Sequence, residues 1–150
     1  MGLATAKMLL DGGARVLVTG RSKDGLESAQ KELGNDAVVV SSDARSLTDI
    51  DTLAFRVIAE FGTFDLLFVN AGFGLFAPFE HTTEAIYDEM FNLNAKGPFF
   101  AVQKLAPLIN RGGAIVFTTS IANVKGMPGN AAYAAAKVRC DPSLGRSPPS

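Results

Sequence analysis

Three residues late in the chain have types and spacing suited to moving a proton: Ser120, Tyr133 and Lys137. In Tyr133-Ala134-Ala135-Ala136-Lys137 the phenol and the amine stand four apart, so a helix places both on one face. A phenol with a pKa near 10 is a poor donor or acceptor at neutral pH. A cation held beside it favours the phenolate and moves it toward the working range, each unit being worth about 1.4 kcal/mol. The apolar run at residues 114–119 reads as a strand that releases Ser120 at the mouth of a sheet. There its hydroxyl can hydrogen-bond a substrate carbonyl or alcohol. The combination points to an acid/base centre, but a surface Tyr and Lys on an Ala-rich helix would show the same spacing. The surrounding elements must decide.

The 150-residue length fits one domain, and 47% hydrophobic against 19% charged residues indicates a globular core. A net charge of −1 leaves no electrostatic footprint for nucleic acid or an anionic membrane. With one cysteine, Cys140, and one histidine, His81, the chain has neither a disulfide framework nor a metal-ligand cluster, so no metal is expected and a cytoplasmic setting is the default. The longest apolar stretch, residues 66–79, is interrupted by Asn70, glycines and a proline, and is too short to cross a bilayer. The first ten residues lack the basic start of a signal peptide and run on in a helical pattern.

Leu3, Ala6, Leu9 and Leu10 recur at helical spacing and Gly12-Gly13 is a stop, so the chain opens inside a helix. Residues 15–19 form a buried-type strand, 24–33 a polar helix, 37–40 a second strand and 46–61 an amphipathic helix. A third strand spans 66–69, a long helical region covers about 83–110, and the strand into Ser120 follows. Strands alternating with helices give an α/β fold with a parallel sheet covered on both faces, its ligands at the carboxyl ends of the strands. The candidate residues fall at such ends or on the helices after them. The Phe side chains at 73, 76, 79, 99 and 100 could line a pocket, although core packing is the commoner use.

Asn70-Ala71-Gly72, Asn94, Ser120, Tyr133 and Lys137 occur in an order and spacing that resembles the short-chain dehydrogenase/reductase family. The resemblance implies a Rossmann-type doubly wound parallel sheet and NAD(P)-dependent hydride transfer between nicotinamide and a small carbonyl or alcohol substrate. It implies that Tyr133 transfers the proton and that Lys137 lowers the Tyr pKa and binds the ribose. Ser120 orients the substrate oxygen, and Asn94, rather than its neighbour Asn92, interrupts the long helix and holds a water in the proton relay. For the cofactor it implies contacts from Gly2, the remaining glycine of a phosphate-binding turn, and from Asn70, Ala71 and Gly72, where the Asn also braces the sheet. Asp43 matches the position that contacts adenine, though a turn or capping Asp reads the same way. Arg21 after Gly20 stands where NAD-dependent members carry an acidic residue. It would pair with a 2′-phosphate, favouring NADP(H) with NAD(H) as the other option, unless it is an ordinary loop Arg.

The resemblance covers residues 2–137, an incomplete version of the family domain. The strand that would precede Gly2 lies centrally in the family's sheet order, so a gap of roughly 9.6 Å, two strand spacings, is expected between the strands of Val16 and Leu66. Residues 138–150, with Pro142, Pro148 and Pro149, read as an aberrant and disordered tail. One synonymous coding of residues 138–147, preceded by a single added G, translates to Gly-Ala-Leu-Arg-Ser-Phe-Ala-Arg-Thr-Phe, which suggests a frameshift. Three readings follow: an oxidoreductase subunit, an inactive truncated relic, or a cofactor-free interaction module on the same fold. Homo-oligomers are expected of intact members.

Overall fold

The computed structural model describes residues 1–137, so the sequence reading of the tail lies outside the described residues. Helix α1 (Gly2–Asp11) ends at Gly12, and Gly13 (φ 85°) takes the left-handed turn that a side chain would oppose. It packs on β1 (Val16–Gly20). Helix α2 (Lys23–Leu33) starts where Ser22 Oγ accepts from Gly25 N at 3.2 Å, and leads to β2 (Ala37–Ser41). The apolar face of α3 (Leu47–Phe61) buries Ile50 and Val57, and its cap is reciprocal in kind: Ser46 Oγ accepts from Asp49 N at 3.2 Å and donates to Asp49 Oδ1 at 2.8 Å.

Strand β3 (Phe64–Val69) is followed by a loop and then by α4 (Glu84–Phe91), a π-helical turn at Asn92–Lys96, and α5 (Gly97–Leu105). Strand β4 (Ile109–Phe117) and the short α6 (Ala131–Ala136) complete the described order. The long helical region thus stops earlier than its composition suggests. Pro107 sits in a closing 3-10 turn at Ala106–Leu108, and Asn110 already belongs to β4. The strand in turn ends at Phe117, before Thr119, although Thr118 N still donates to Val69 O at 3.0 Å.

All strand pairing is parallel, as alternating strands and helices require, but it forms two separate two-stranded sheets, β1–β2 and β3–β4. No backbone ladder joins them among the described residues. The expected interruption between the strands of Val16 and Leu66 is therefore present as a break in pairing. The halves are connected by side chains instead. Arg15 Nη2 donates to Glu60 O at 2.6 Å and its guanidinium lies 4.8 Å from the centre of the Phe61 ring, while Gly2 comes up against the Asn70 side chain.

The apolar interior is divided as well. One cluster is Ala6, Leu33 and Ala37, flanked by Leu3, Leu10, Val16 and Val18; another is Met90, Ala132 and Ala136, flanked by Phe73, Phe91 and Tyr133. Among the phenylalanines, Phe73 and Phe100 are partly buried, whereas Phe76, Phe79 and Phe99 are exposed, so core packing does not account for those three. No helix among the described residues is long and apolar enough to cross a membrane.

Candidate functional site

The site is organised by the π-helical turn between α4 and α5. Widening the helix there brings Asn94 inward, to 5% exposure, and Gly97 N donates five residues back to Asn92 O. Asn94 Nδ2 donates to Met90 O at 3.0 Å and to Phe73 O at 2.9 Å, while Oδ1 accepts from Phe73 N at 3.3 Å. A single amide thereby holds both the helix interruption and the backbone after Asn70-Ala71-Gly72. Asn92 starts the π turn and makes no such connection in the structure's hydrogen-bond pattern.

Gly72 lies in the narrowest part. A Cβ there would stand 2.7 Å from Asn94 Oδ1 and 2.8 Å from Lys137 Nζ, so only glycine lets the amide and the amine approach the same backbone. Lys137 caps α6: its N–H donates to Tyr133 O at 3.0 Å, and its Nζ donates to Thr118 O at 3.2 Å. Burial pushes its pKa down from the ordinary lysine value, because a charged amine is poorly solvated there. Thr118 Oγ1 also donates to Asn70 Oδ1 at 3.0 Å, which ties the end of β3 to the end of β4.

Tyr133 sits one turn before Lys137, packed on the Met90, Ala132 and Ala136 cluster, with its ring 6.0 Å from that of Phe76. Ser120 begins a 3-10 turn at Ile121–Asn123 that packs on α6, and its Oγ accepts from Ala122 N at 3.2 Å. Gly72, Asn94 and Lys137 thus converge, and Thr118 links Lys137 to Asn70 and so to Gly2. Tyr133 and Ser120 join them through α6.

Arg21 and Asp43 belong to the other half, after β1 and β2, whose ends are joined by Ser42 N donating to Gly20 O at 2.9 Å. Arg21 is exposed. Asp43 is held by Arg45: Oδ1 accepts from Arg45 N at 2.9 Å and from Nε at 3.0 Å, and Oδ2 accepts from Nη2 at 2.7 Å. These bonds, chiefly the side-chain ones, lower its pKa to about 2, with Arg21 adding to the field. The Asp43 carboxylate therefore closes a turn, whatever it contacts besides. Arg45 also pairs with Glu89 on α4, a tie between β2 and the helix that carries Asn94.

Two contributors escaped the sequence reading. Thr118 lies two residues before Ser120 on a strand end and so shares its face, a period-2 signal that was available. Met90 is one helical turn before Asn94, and its Sδ accepts from Leu75 N at 3.3 Å. Among the described residues no three His, Cys, Asp or Glu side chains are grouped to hold a metal.

The residues fit a dinucleotide at both ends of the site. The start of α1 carries no side-chain cap and no acidic residue in its first turn, leaving N–H groups for phosphate. At the other end, exposed Gly72 leaves the backbone beside Asn94 and the Lys137 amine uncovered by a side chain of its own.

Residues 1–140 match the short chain dehydrogenase family. The oxidoreductase asL5 of Sarocladium schorii is 34% identical over 139 residues, covering 91% of this chain and 56% of that protein. The hydroxynaphthalene reductase arp2 of Aspergillus fumigatus is 31% identical over 141 residues, covering 91% and 52%. The chain spans about half the length of these curated relatives. Among solved structures, a short-chain dehydrogenase/reductase of the glucose/ribitol dehydrogenase type from Brucella melitensis superimposes with a TM-score of 0.86 at 27% identity, covering 91% of this chain and 58% of that one. Levodione reductase gives 0.84 at 27% identity, with 91% and 56% covered. The π turn, the Gly72 approach and the strand-end serine stand on a scaffold shared with these oxidoreductases, and the chain belongs to the short-chain dehydrogenase/reductase family.

Proposed function

We propose that the chain carries the proton-transfer centre and the cofactor-contacting face of an NADP(H)-preferring oxidoreductase that interconverts a small-molecule carbonyl and its alcohol. The observation that carries this reading is the meeting of Asn94 and Lys137 at Gly72, with Tyr133 one turn away on the same short helix. Bound NADPH supplies the hydride. Tyr133 holds the proton that goes to the carbonyl oxygen, or removes it in the reverse direction.

Burial makes the Lys137 charge costly where its Nζ lies, and an adjacent phenolate or ribose hydroxyl relieves that cost. The Ser120 hydroxyl accepts from Ala122 N and so keeps its own hydrogen to donate to the substrate oxygen. Asn94 fixes the backbone after Gly72 and holds the water of the proton relay. Gly2 and the first turn of α1 hold the pyrophosphate, Asn70, Ala71 and Gly72 border the cofactor, Asp43 borders the adenine, and exposed Arg21 pairs with the 2′-phosphate. A cytosolic enzyme that associates through α4 and α5, where Tyr87 and Phe99 are exposed, completes the proposal.

A second reading, an inactive relic, is favoured by the break between the two sheets, which leaves strand edges without partners among the described residues. Titrating the purified chain with NADPH and NADH separates the two. The enzyme reading expects NADPH to bind more tightly than NADH, and Arg21→Ala to weaken NADPH alone, by about 1.5–3 kcal/mol. No binding supports the relic, and equal losses for both cofactors remove the Arg21 argument.

A further inference from the structure

Residues 71–79, Ala-Gly-Phe-Gly-Leu-Phe-Ala-Pro-Phe, contain no charged side chain and lie beside Tyr133. Phe76 is 66% exposed, yet its ring sits against the Tyr133 ring at an interplanar angle of 57°. Gly74 makes room for this arrangement, because a Cβ there would stand 3.0 Å from Phe76 Cζ and 3.4 Å from Tyr133 Cδ2. The loop is held on both sides of Phe76. Leu75 N donates to the buried Met90 Sδ at 3.3 Å, and Ala77 N donates to Gly129 O at 3.0 Å. The segment before α6, which meets the loop at Gly129 and Ala77, has exposed Ile121, Val124 and Met127, with Lys125 the one charged residue from 121 to 130.

An aromatic ring held beside Tyr133 by backbone hydrogen bonds on either side of it is placed to stack on a flat ring that binds there. Building on the oxidoreductase reading above, we infer that the substrate is a planar aromatic carbonyl or the corresponding alcohol, and that Phe76 determines this specificity by stacking on the substrate ring while the oxygen faces Tyr133. The 71–79 loop itself carries no charged side chain, so the part of the substrate that lies on it is apolar.

The test compares 2-tetralone with trans-2-decalone, bicyclic ketones of equal carbon number, of which only the first has a flat aromatic ring. Affinities for the purified chain are measured by calorimetry, with circular dichroism confirming that each variant keeps its helix content. Stacking should make 2-tetralone bind about threefold to tenfold more tightly. Phe76→Leu should bring that ratio to one, Phe76→Tyr should preserve it, and Tyr133→Phe should weaken both ketones alike without changing it. A ratio near one in the unmodified chain, a ratio unaffected by Phe76→Leu, or no binding of either ketone would overturn the inference. A preserved ratio without any hydride transfer from NADPH would instead remove the oxidoreductase reading and leave the aromatic site standing.

Discussion

At the scale of single residues, two polar groups carry opposite consequences. Asn130, just before α6, is 2% exposed, and neither its Nδ2 nor its Oδ1 has a hydrogen-bond partner among the described residues. A buried amide in that condition costs about 1–3 kcal/mol for each unmatched group. Asn130→Leu, similar in size, should therefore leave stability unchanged or raise it by about 1–2 kcal/mol in urea unfolding. A loss of more than 1 kcal/mol would show that the amide is satisfied in solution, for example by a buried water. Asp43 is the reverse case, bound tightly by Arg45 with its pKa lowered to about 2. Its contribution is fully present above the unfolded carboxylate value near 4, and is lost as pH falls through about 2. Between pH 4 and 2 the unmodified chain should lose stability more steeply than Arg45→Gln, and parallel slopes would dismiss the pairing as a source of stability. Tyr133→Phe removes only a hydroxyl, so any turnover should fall by about 10²–10⁴-fold with cofactor affinity little changed, whereas Lys137→Met should lose both. Kinetics in which Tyr133→Phe retains normal kcat would end the proton-transfer assignment. Residue types and spacing drew attention to Tyr133 and Lys137 in the sequence, and the family resemblance to Asn94. The reciprocal bonding of Asn94 to Phe73, and the lack of partners for Asn130, depend on contacts between distant segments that spacing does not encode.

At the scale of elements, the order of strands and helices was readable because short apolar runs alternate with helical segments, and three of those helices, α2, α3 and α4, open on a capping side chain, Ser22, Ser46 and Thr83. The ends were less so. Residues 83–110 have continuous helical composition, and only the tertiary context turns Asn92–Lys96 into a π segment and Asn110 into a strand residue. Gly97 shows what the π segment demands of its surroundings. A Cβ at this position would collide with the Ala44 carbonyl oxygen, so α5 passes directly over the backbone after β2. In an isolated helix Gly→Ala is stabilising by about 1 kcal/mol. Here Gly97→Ala should destabilise by about 2 kcal/mol or more, since backbone rather than a pliable side chain must move. Thermal unfolding decides the sign, and a stabilised variant would mean that α5 can slide away from Ala44.

At the scale of the whole molecule, the parallel α/β class was legible from alternation alone, whereas the interruption between the strands of Val16 and Leu66 followed from the family resemblance and its sheet order. The division of the interior into a cluster around Ala6 and another around Met90 was not, because both draw small residues from helices whose relative packing no local pattern specifies. A domain of this kind ordinarily has one contiguous core. The two halves meet instead through contacts that include Arg15 on the Glu60 carbonyl and Phe61 ring, Gly2 on Asn70, Arg45 on Glu89 and Gly97 on the Ala44 backbone. Unfolding should accordingly be broad, and should differ between a probe of the β1–β2 half and one of the β3–β4 half. A single sharp transition seen alike by both probes would show that these contacts couple the halves fully. Amide exchange gives the break in the sheet a time axis. Amides of β1 and β2 would trade hydrogen for deuterium as one block and those of β3 and β4 as another, each with its own opening free energy, so that Lys137 and Arg21 would sit on parts of the molecule that breathe independently.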